Sequence, residues 1–236
     1  MGKYTMSFNF IVLHFKICTP RLNFGCFKMD INKIFVDNKK WIASKLDKDS
    51  AYFDELAAGQ NPSLLYIGCS DSRVTAEEIM GLGPGEAFIL RNIANMVNNI
   101  DLSAMAVINY AVSVLEVDHI VVCGHYNCGG VKAAMASQNL GILNPWLRSI
   151  RDVYRLHHDE LDAIKDEPKK YNRLVELNVI EQCINVVKTS DVQIAVKNRN
   201  LTVHGWVFDL KTGQIIDLDF NYKSALKEIT EVYKII

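Results

Sequence analysis

The chain predicts an α/β fold: a central, mostly parallel sheet of about four strands plus an antiparallel edge strand, helices on both faces, and an N-terminal helical arm. Three observations carry this prediction. Short apolar runs at 64–67, 87–90 and 119–123 alternate with helical patterns, the arrangement that builds parallel sheets. Two later runs, 201–209 and 215–220, flank Lys211-Thr212-Gly213-Gln214, a turn that returns the last strand antiparallel. The runs at 64–67 and 119–123 are each followed by a glycine and a cluster of reactive side chains, at strand ends where open α/β sheets bind ligands.

At 236 residues the chain is long enough for one domain with a sizeable core. Hydrophobic residues make up 49%, charged residues 22%, and the formal net charge is -1. No basic excess points to nucleic acid, and no apolar run is long enough to span a bilayer. Six cysteines without dense spacing do not make a disulfide scaffold. They fit a reducing compartment, and the chain is predicted to be cytoplasmic. The apolar stretch Phe8–Leu13 is too short for a signal peptide or membrane span. Residues 1–28, with Cys18 and Cys26, are read as an extension outside the core, and 29–236 as a single α/β domain.

Taken in order, residues 30–48 are helical, with an apolar stripe of Ile31, Ile34, Phe35, Trp41, Ile42 and Leu46 that needs a partner surface. Ala51–Ala58 is a second short helix. Gly59-Gln60-Asn61-Pro62 turns the chain into the strand at 64–67. Thr75-Ala76-Glu77-Glu78 has capping-box spacing and opens a helix that Gly81–Gly85 ends. The second strand, 87–90, leads into Arg91-Asn92. Leu102–Leu115 is apolar nearly all round and reads as a buried helix. Gly124 is expected to break the third strand, 119–123. A helix near 131–137 follows, then helices at 146–161 and 171–188, the two strands of the hairpin, and a closing helix from Lys223.

Two strand-end loops carry the chemistry. One holds Cys69, Asp71 and Arg73. The other holds His125 and Cys128 at His-x-x-Cys spacing. Two thiolates and an imidazole suit zinc, with three protein ligands and an open tetrahedral position. A lone Cys after a strand is most often structural, and a lone His-x-x-Cys is half a motif. Their placement on neighbouring strand ends makes the metal reading the stronger one. Cys123 could be a fourth ligand, but its position within an apolar strand favours the core. Asp71-x-Arg73 alone is an ordinary ion pair worth little; beside a metal it can hold a carboxylate ionised and oriented. Gly129-Gly130 fits either a turn cap or a set of helix-N-terminal N–H groups that favour an anion. His119 and His204 read as satisfied strand residues, and His157-His158 as solvated. No phosphate-loop or dinucleotide motif follows any strand.

The segments Cys69-Ser70-Asp71-Ser72-Arg73-Val74, Arg91-Asn92-Ile93-Ala94-Asn95 and Gly124-His125-Tyr126-Asn127-Cys128-Gly129-Gly130 together resemble the β-class carbonic anhydrases, over a span from about Met29 to the last helix. The resemblance implies one Zn2+ per chain held by Cys69, His125 and Cys128, and reversible hydration of CO2 to bicarbonate and a proton. It implies that Asp71 accepts a hydrogen bond from the zinc-bound hydroxide, that Arg73 keeps Asp71 ionised, and that Asp71 can turn inward as a fourth metal ligand. It implies a substrate pocket of Gln60, Phe88, Ile93, Tyr110 and Gly129, completed across the interface of a homodimer or homotetramer that the N-terminal helix embraces. From sequence alone, Phe88, Ile93 and Tyr110 would pass for core. The small molecules CO2 and bicarbonate are the expected partners, with no nucleic acid and no membrane. A second, inhibitory bicarbonate site in a bacterial subset uses Trp, Arg and Tyr; here Tyr66, Arg91 and Phe208 stand there, so that site is expected to be weakened or absent.

Two other readings use the same residues: a non-catalytic, zinc-stabilised CO2 or bicarbonate sensor, and a CS2 or COS hydrolase on the same fold. The Asp71–Arg73 pair favours the enzyme, because a structural site has no use for it. A Cys69 nucleophile with His125 as base lacks a third, orienting group.

Overall fold

The computed structural model describes residues 29–233. The chain divides into two compact units, Met1–Phe53 and Asp54–Ile236. The sequence-predicted extension 1–28, with Cys18 and Cys26, and the last three residues of the closing helix lie outside the described residues.

In the first unit, α1 (Ile31–Leu46) starts where the Asp30 carboxylate accepts from the Asn32 N–H, satisfying one of the donors that a helix start leaves free. Trp41 stands edge-on to Tyr52 and Phe53. The apolar stripe of α1 is exposed, with Ile31 at 62% and Phe35 at 66%. α2 (Tyr52–Ala58) leads into the second unit.

The second unit contains one five-stranded sheet: β1 (Leu64–Cys69), β2 (Ala87–Asn92), β3 (His119–His125), β4 (Thr202–Asp209) and β5 (Gln214–Asp217). Their order is β2-β1-β3-β4-β5. The first four are parallel and β5 is antiparallel to β4, so the predicted fold class is the observed one. The helices are α3 (Ala76–Met80), α4 (Leu102–Asn109), α5 (Gly129–Met135), α6 (Leu143–Leu156), α7 (His158–Ala163), α8 (Glu167–Val187), α9 (Ser190–Arg199) and α10 (Tyr222–Val232). Strand alternation divides the core in two. Leu65, Ile67, Ile120, Val122, Val203 and Val207 share the larger core with Val175, Val179, Cys183 and Val186 of α8. Tyr66, Val121, Cys123 and Phe208 point the other way, against Val74 and Ala76.

Several local expectations are corrected. Gly124 does not break β3, which continues to His125. Its role is close approach: a Cβ there would lie 2.6 Å from Val179 Cγ2, so glycine lets α8 pack tightly on the sheet. The stretch 102–115 is not one buried helix. α4 passes into a π-helical turn at Tyr110–Val114, and Leu102 and Val114 are exposed while Ala104, Ile108, Ala111 and Val112 are buried. Apolar composition does not tell a helix packed on one side from one packed on both. At α3 the capping box is incomplete: Thr75 makes no side-chain bond to the helix backbone, and its hydroxyl donates instead to the Glu78 carboxylate at 2.7 Å. The helix expected at 146–161 runs as α6 from Leu143 and is interrupted at His157 before α7. α8 begins earlier than expected, at Glu167, where Asp166 accepts from the Lys169 N–H. α9 was not foreseen; its apolar residues lack a clear 3.6-residue stripe. His157 is not solvated, because its Nε2 lies 2.9 Å from Glu181 Oε1 of α8. His119 and His204 are satisfied as expected, each bonded to the Thr202 hydroxyl at 2.7 and 2.9 Å.

Replacing Gly124 by alanine should destabilise the fold by about 1–3 kcal/mol through overpacking against Val179. Chemical denaturation of Gly124→Ala checks this, and adding Val179→Ala should recover part of the loss. A Gly124→Ala protein as stable as the parent would contradict the tight contact.

Candidate metal centre

Parallel pairing brings the reactive residues together. β1 and β3 are adjacent, with Gly68 opposite Cys123, so the two strands end side by side. Cys69 is the last residue of β1 and His125 the last of β3. Asn127 then takes a left-handed conformation, φ 60°, one that asparagine tolerates better than most residues. That turn brings Cys128 back to the start of α5, facing Cys69.

The ligand atoms of Cys69, His125 and Cys128 lie within 4.8 Å of one another, and all three residues are buried. The two sulfurs are 3.9 Å apart, too far for a disulfide. Two thiolates on one tetrahedral zinc, each at about 2.3 Å, stand about 3.8 Å apart, so the spacing fits that ion. His125 Nδ1 is fixed by the Tyr126 carbonyl at 2.9 Å. Its other nitrogen, Nε2, is buried without a hydrogen-bond partner. A buried imidazole nitrogen without a partner is costly unless something fills the gap. A metal ion would do so, and a carbonyl on the far nitrogen is the usual way a ligating histidine is oriented.

The thiols differ sharply in acidity. The contact with the Cys128 sulfur pulls the Cys69 thiol far down; His125 and the backbone at Ala94 and Asp71 add to this against the opposing cost of burial. Cys128 is pushed up by the same contact with Cys69, then by burial and the Cys69 charge. A cluster that favours the thiolate at one sulfur suits a cation. Cys123 is buried on the other face of the sheet and its thiol is pushed up to about 11 by burial, so it belongs to the core as expected.

Asp71 sits at the rim. Arg73 grips it with Nε to Oδ1 at 2.9 Å and Nη2 to Oδ2 at 2.7 Å, and the Arg73 N–H also donates to Oδ1 at 3.0 Å. These bonds hold the carboxyl at about 2, with burial opposing, so it is ionised at neutral pH. Asp71 Oδ2 lies 3.7 Å from His125 Nε2, within one small molecule's reach of the centre. Arg73 Nη2 also donates to the Asn127 carbonyl at 3.3 Å, tying the two loops together.

The pocket residues divide. Phe88 and Tyr110 pack with ring centroids 5.8 Å apart. Ile93 and Tyr110 are 41% and 44% exposed, so they are not the core residues their chemistry suggests. Gln60 and Gly129 are also exposed.

Two contributors to the geometry of these loops escaped the sequence reading. Arg91 donates from Nε to the Cys69 carbonyl at 2.8 Å and from Nη2 to the Asp71 carbonyl at 2.7 Å, clamping the loop backbone. Its place at the end of a strand beside β1 was the available signal. The Tyr171 hydroxyl donates to the Cys128 carbonyl at 2.7 Å; nothing in the sequence pointed to it, since it comes from α8, far along the chain.

Comparisons with known proteins agree with this geometry. The family model described as carbonic anhydrase matches residues 64–215. A carbonic anhydrase of Emericella nidulans is 60% identical over 205 residues, covering 86% of this chain and 90% of that protein. The crystal structure of the β-carbonic anhydrase CafA of Aspergillus fumigatus superposes with a TM-score of 0.81 at 40% identity, covering 87% of this chain and 99% of that one. A structure from work on two tetrameric β-carbonic anhydrases of Sordaria macrospora gives 0.77 at 40% identity, covering 80% and 96%. The sheet order, the paired strand ends and these similarities converge: the chain belongs to the β-carbonic anhydrase family and is an enzyme of reversible CO2 hydration.

Proposed function

We propose that Cys69, His125 and Cys128 hold one zinc ion per chain, and that Asp71 and Arg73 equip that centre for CO2 hydration. The observation that carries this reading is a three-ligand cluster bordered by an ionised carboxylate locked to a guanidinium. Zinc there supplies Lewis acidity, which in carbonic anhydrases generally lowers the pKa of a coordinated water to about 7.

The rest is the work of this chain's residues. Asp71 Oδ2 presents a fixed acceptor toward the centre and orients a donor that approaches it. Arg73 keeps that acceptor charged and directed. Arg91 prevents the loop carbonyls from drifting, so Cys69 and Asp71 keep their separation. Phe88, Ile93 and Tyr110 offer an apolar wall, which suits a neutral substrate with little capacity for hydrogen bonding. Gln60 supplies a side-chain amide for the polar product, and Gly129 a backbone N–H at the start of α5. An inward turn of Asp71 onto the metal would require it to leave Arg73, which opposes that movement.

We infer a homodimer or homotetramer whose interface completes the pocket. Support comes from the exposed Ile93 and Tyr110, from the exposed stripe of α1, and from the tetrameric Sordaria enzymes. Residues 29–236 are read as one functional domain, with 1–28 as an extension. No described helix is long and apolar enough to cross a membrane, and the free, buried Cys69, Cys123, Cys128 and Cys183 support a reducing, cytoplasmic setting. We also infer that the second bicarbonate site is weakened or absent. Arg91 is already bonded to the loop, Tyr66 is buried, and Phe208 has no hydroxyl to offer.

Zinc analysis should find one ion per chain, and stopped-flow assays across about pH 6.5–9, bracketing the pKa of such a water, should show CO2 hydration. A zinc-loaded protein inactive throughout that range would sink the proposal. Asp71→Asn should keep its zinc and lose about 10–100-fold in activity, the usual effect of losing a partner around a metal site; loss of the metal instead would refute the role given to Asp71. Cys128→Ser should lose zinc, measured by metal analysis after dialysis against a chelator. Bicarbonate should produce no inhibition beyond ordinary product competition, and strong cooperative inhibition would show that the second site works.

A further inference from the structure

We propose that Asn178 and Gln182 of α8 are positioning residues for the metal centre: their buried amides fix the left-handed turn at 94–97 that borders Cys69 and carries Ile93. The proposal rests on the reading of the centre given above.

The turn cannot hold itself. Ala94 and Asn95 are non-glycine residues at φ 63° and 50°, a conformation L residues adopt in succession only when their surroundings impose it. Its backbone is gripped from several sides. Asn178 Nδ2 donates to the Ala94 carbonyl at 3.1 Å, and the Val97 N–H donates to Gln182 Oε1 at 2.8 Å. Gln182 Nε2 also lies 3.3 Å from Asn178 Oδ1, one helical turn away. The Asn92 side chain clamps the N–H and carbonyl of Met96, both at 2.7 Å. From the outer side, Trp146 Nε1 donates to the Ile93 carbonyl at 2.9 Å.

Asn178 and Gln182 are each 1% exposed, on a helix face otherwise built of Val175, Val179, Cys183 and Val186. Helix packing on a sheet needs no amides there, and buried amides are costly unless paired. Here they are paired with one segment, and that segment faces the centre. Ala94 is buried in the same core cluster as Cys69 and Cys128. The Ser70 N–H donates to the Asn92 carbonyl at 2.8 Å. Ile93 Cγ2 and Ala94 Cβ would lie 2.8 and 3.1 Å from a Cβ on Gly130, so the turn also abuts the helix that starts after Cys128. A displaced turn therefore shifts the loop after Cys69, the start of the helix after Cys128 and the wall of the pocket together. The groups that hold the ligands in place tune the metal, so its thiolate band and the pH midpoint both report on that shift.

The test compares Asn178→Leu and Gln182→Met with Gln182→Glu, which keeps an acceptor for Val97, and with Leu174→Ala, a purely apolar change in the same helix. The readouts are the thiolate-to-cobalt absorption band of the cobalt(II)-substituted protein, the pH midpoint of kcat/KM and the Tm. The two amide-removing variants are expected to shift the band, move the midpoint and lose about tenfold in kcat/KM. Gln182→Glu should recover most of this, and Leu174→Ala should lower Tm alone. Should the amide variants not fold, Trp146→Phe, at the outer side of the turn, is expected to shift the same band by a smaller amount. Variants that lower Tm while leaving band and midpoint unmoved, or an unmoved band in Trp146→Phe, overturn the proposal. A parent protein that takes up cobalt without any thiolate band overturns the metal-centre reading, and this inference with it.

Discussion

The arrangement depends on the parallel pairing of β1 with β3. That register ends two strands at one level, so the last residue of each can reach a common point. Pairing slipped by one residue would send Cys69 to the opposite face of the sheet and leave His125 and Cys128 without it. The surrounding structure protects this alignment. Gly124 admits α8 against the sheet, and α8 in turn supplies Tyr171 to the Cys128 carbonyl and two amides to the turn beside Cys69. Arg91, from the strand on the other side of β1, ties down the loop after Cys69.

A buried cluster of two sulfurs and an imidazole is electrostatically incomplete. Either the thiols stay protonated, which burial favours, or a cation compensates their charge. The same conflict pulls Cys69 toward the thiolate and pushes Cys128 toward the thiol. Metal binding resolves it by taking both as anions. Asp71 adds a further negative charge only 3.7 Å from His125, and the bidentate Arg73 offsets it. The pair therefore sets a fixed acceptor beside the centre without adding net charge. That separates the site from a structural zinc knot, which closes all four positions with protein ligands.

Ile93 and Tyr110 stay exposed although their chemistry suits a core. Apolar residues gathered beside a reactive centre gain by being covered, because exclusion of water strengthens every electrostatic contact inside.

The sequence alone determined the alternation of strands and helices, the antiparallel edge, and the candidate ligands Cys69, His125 and Cys128, because each is written in local patterns: apolar runs, turn residues and close spacing such as His-x-x-Cys. It also marked Asp71 and Arg73, which lie two residues apart. It misread Gly124 as a strand breaker, 102–115 as a buried helix and His157 as solvated, and it passed over α9. Those features are decided by what packs against the segment: Val179 beside Gly124, the larger core under one face of α4, and Glu181 opposite His157. Only the tertiary structure brought Arg91, Tyr171, Asn178 and Gln182 to the loops they hold. Their partners are backbone groups far away in the chain, and a hydrogen bond to a distant carbonyl leaves no periodic trace in the order of residues.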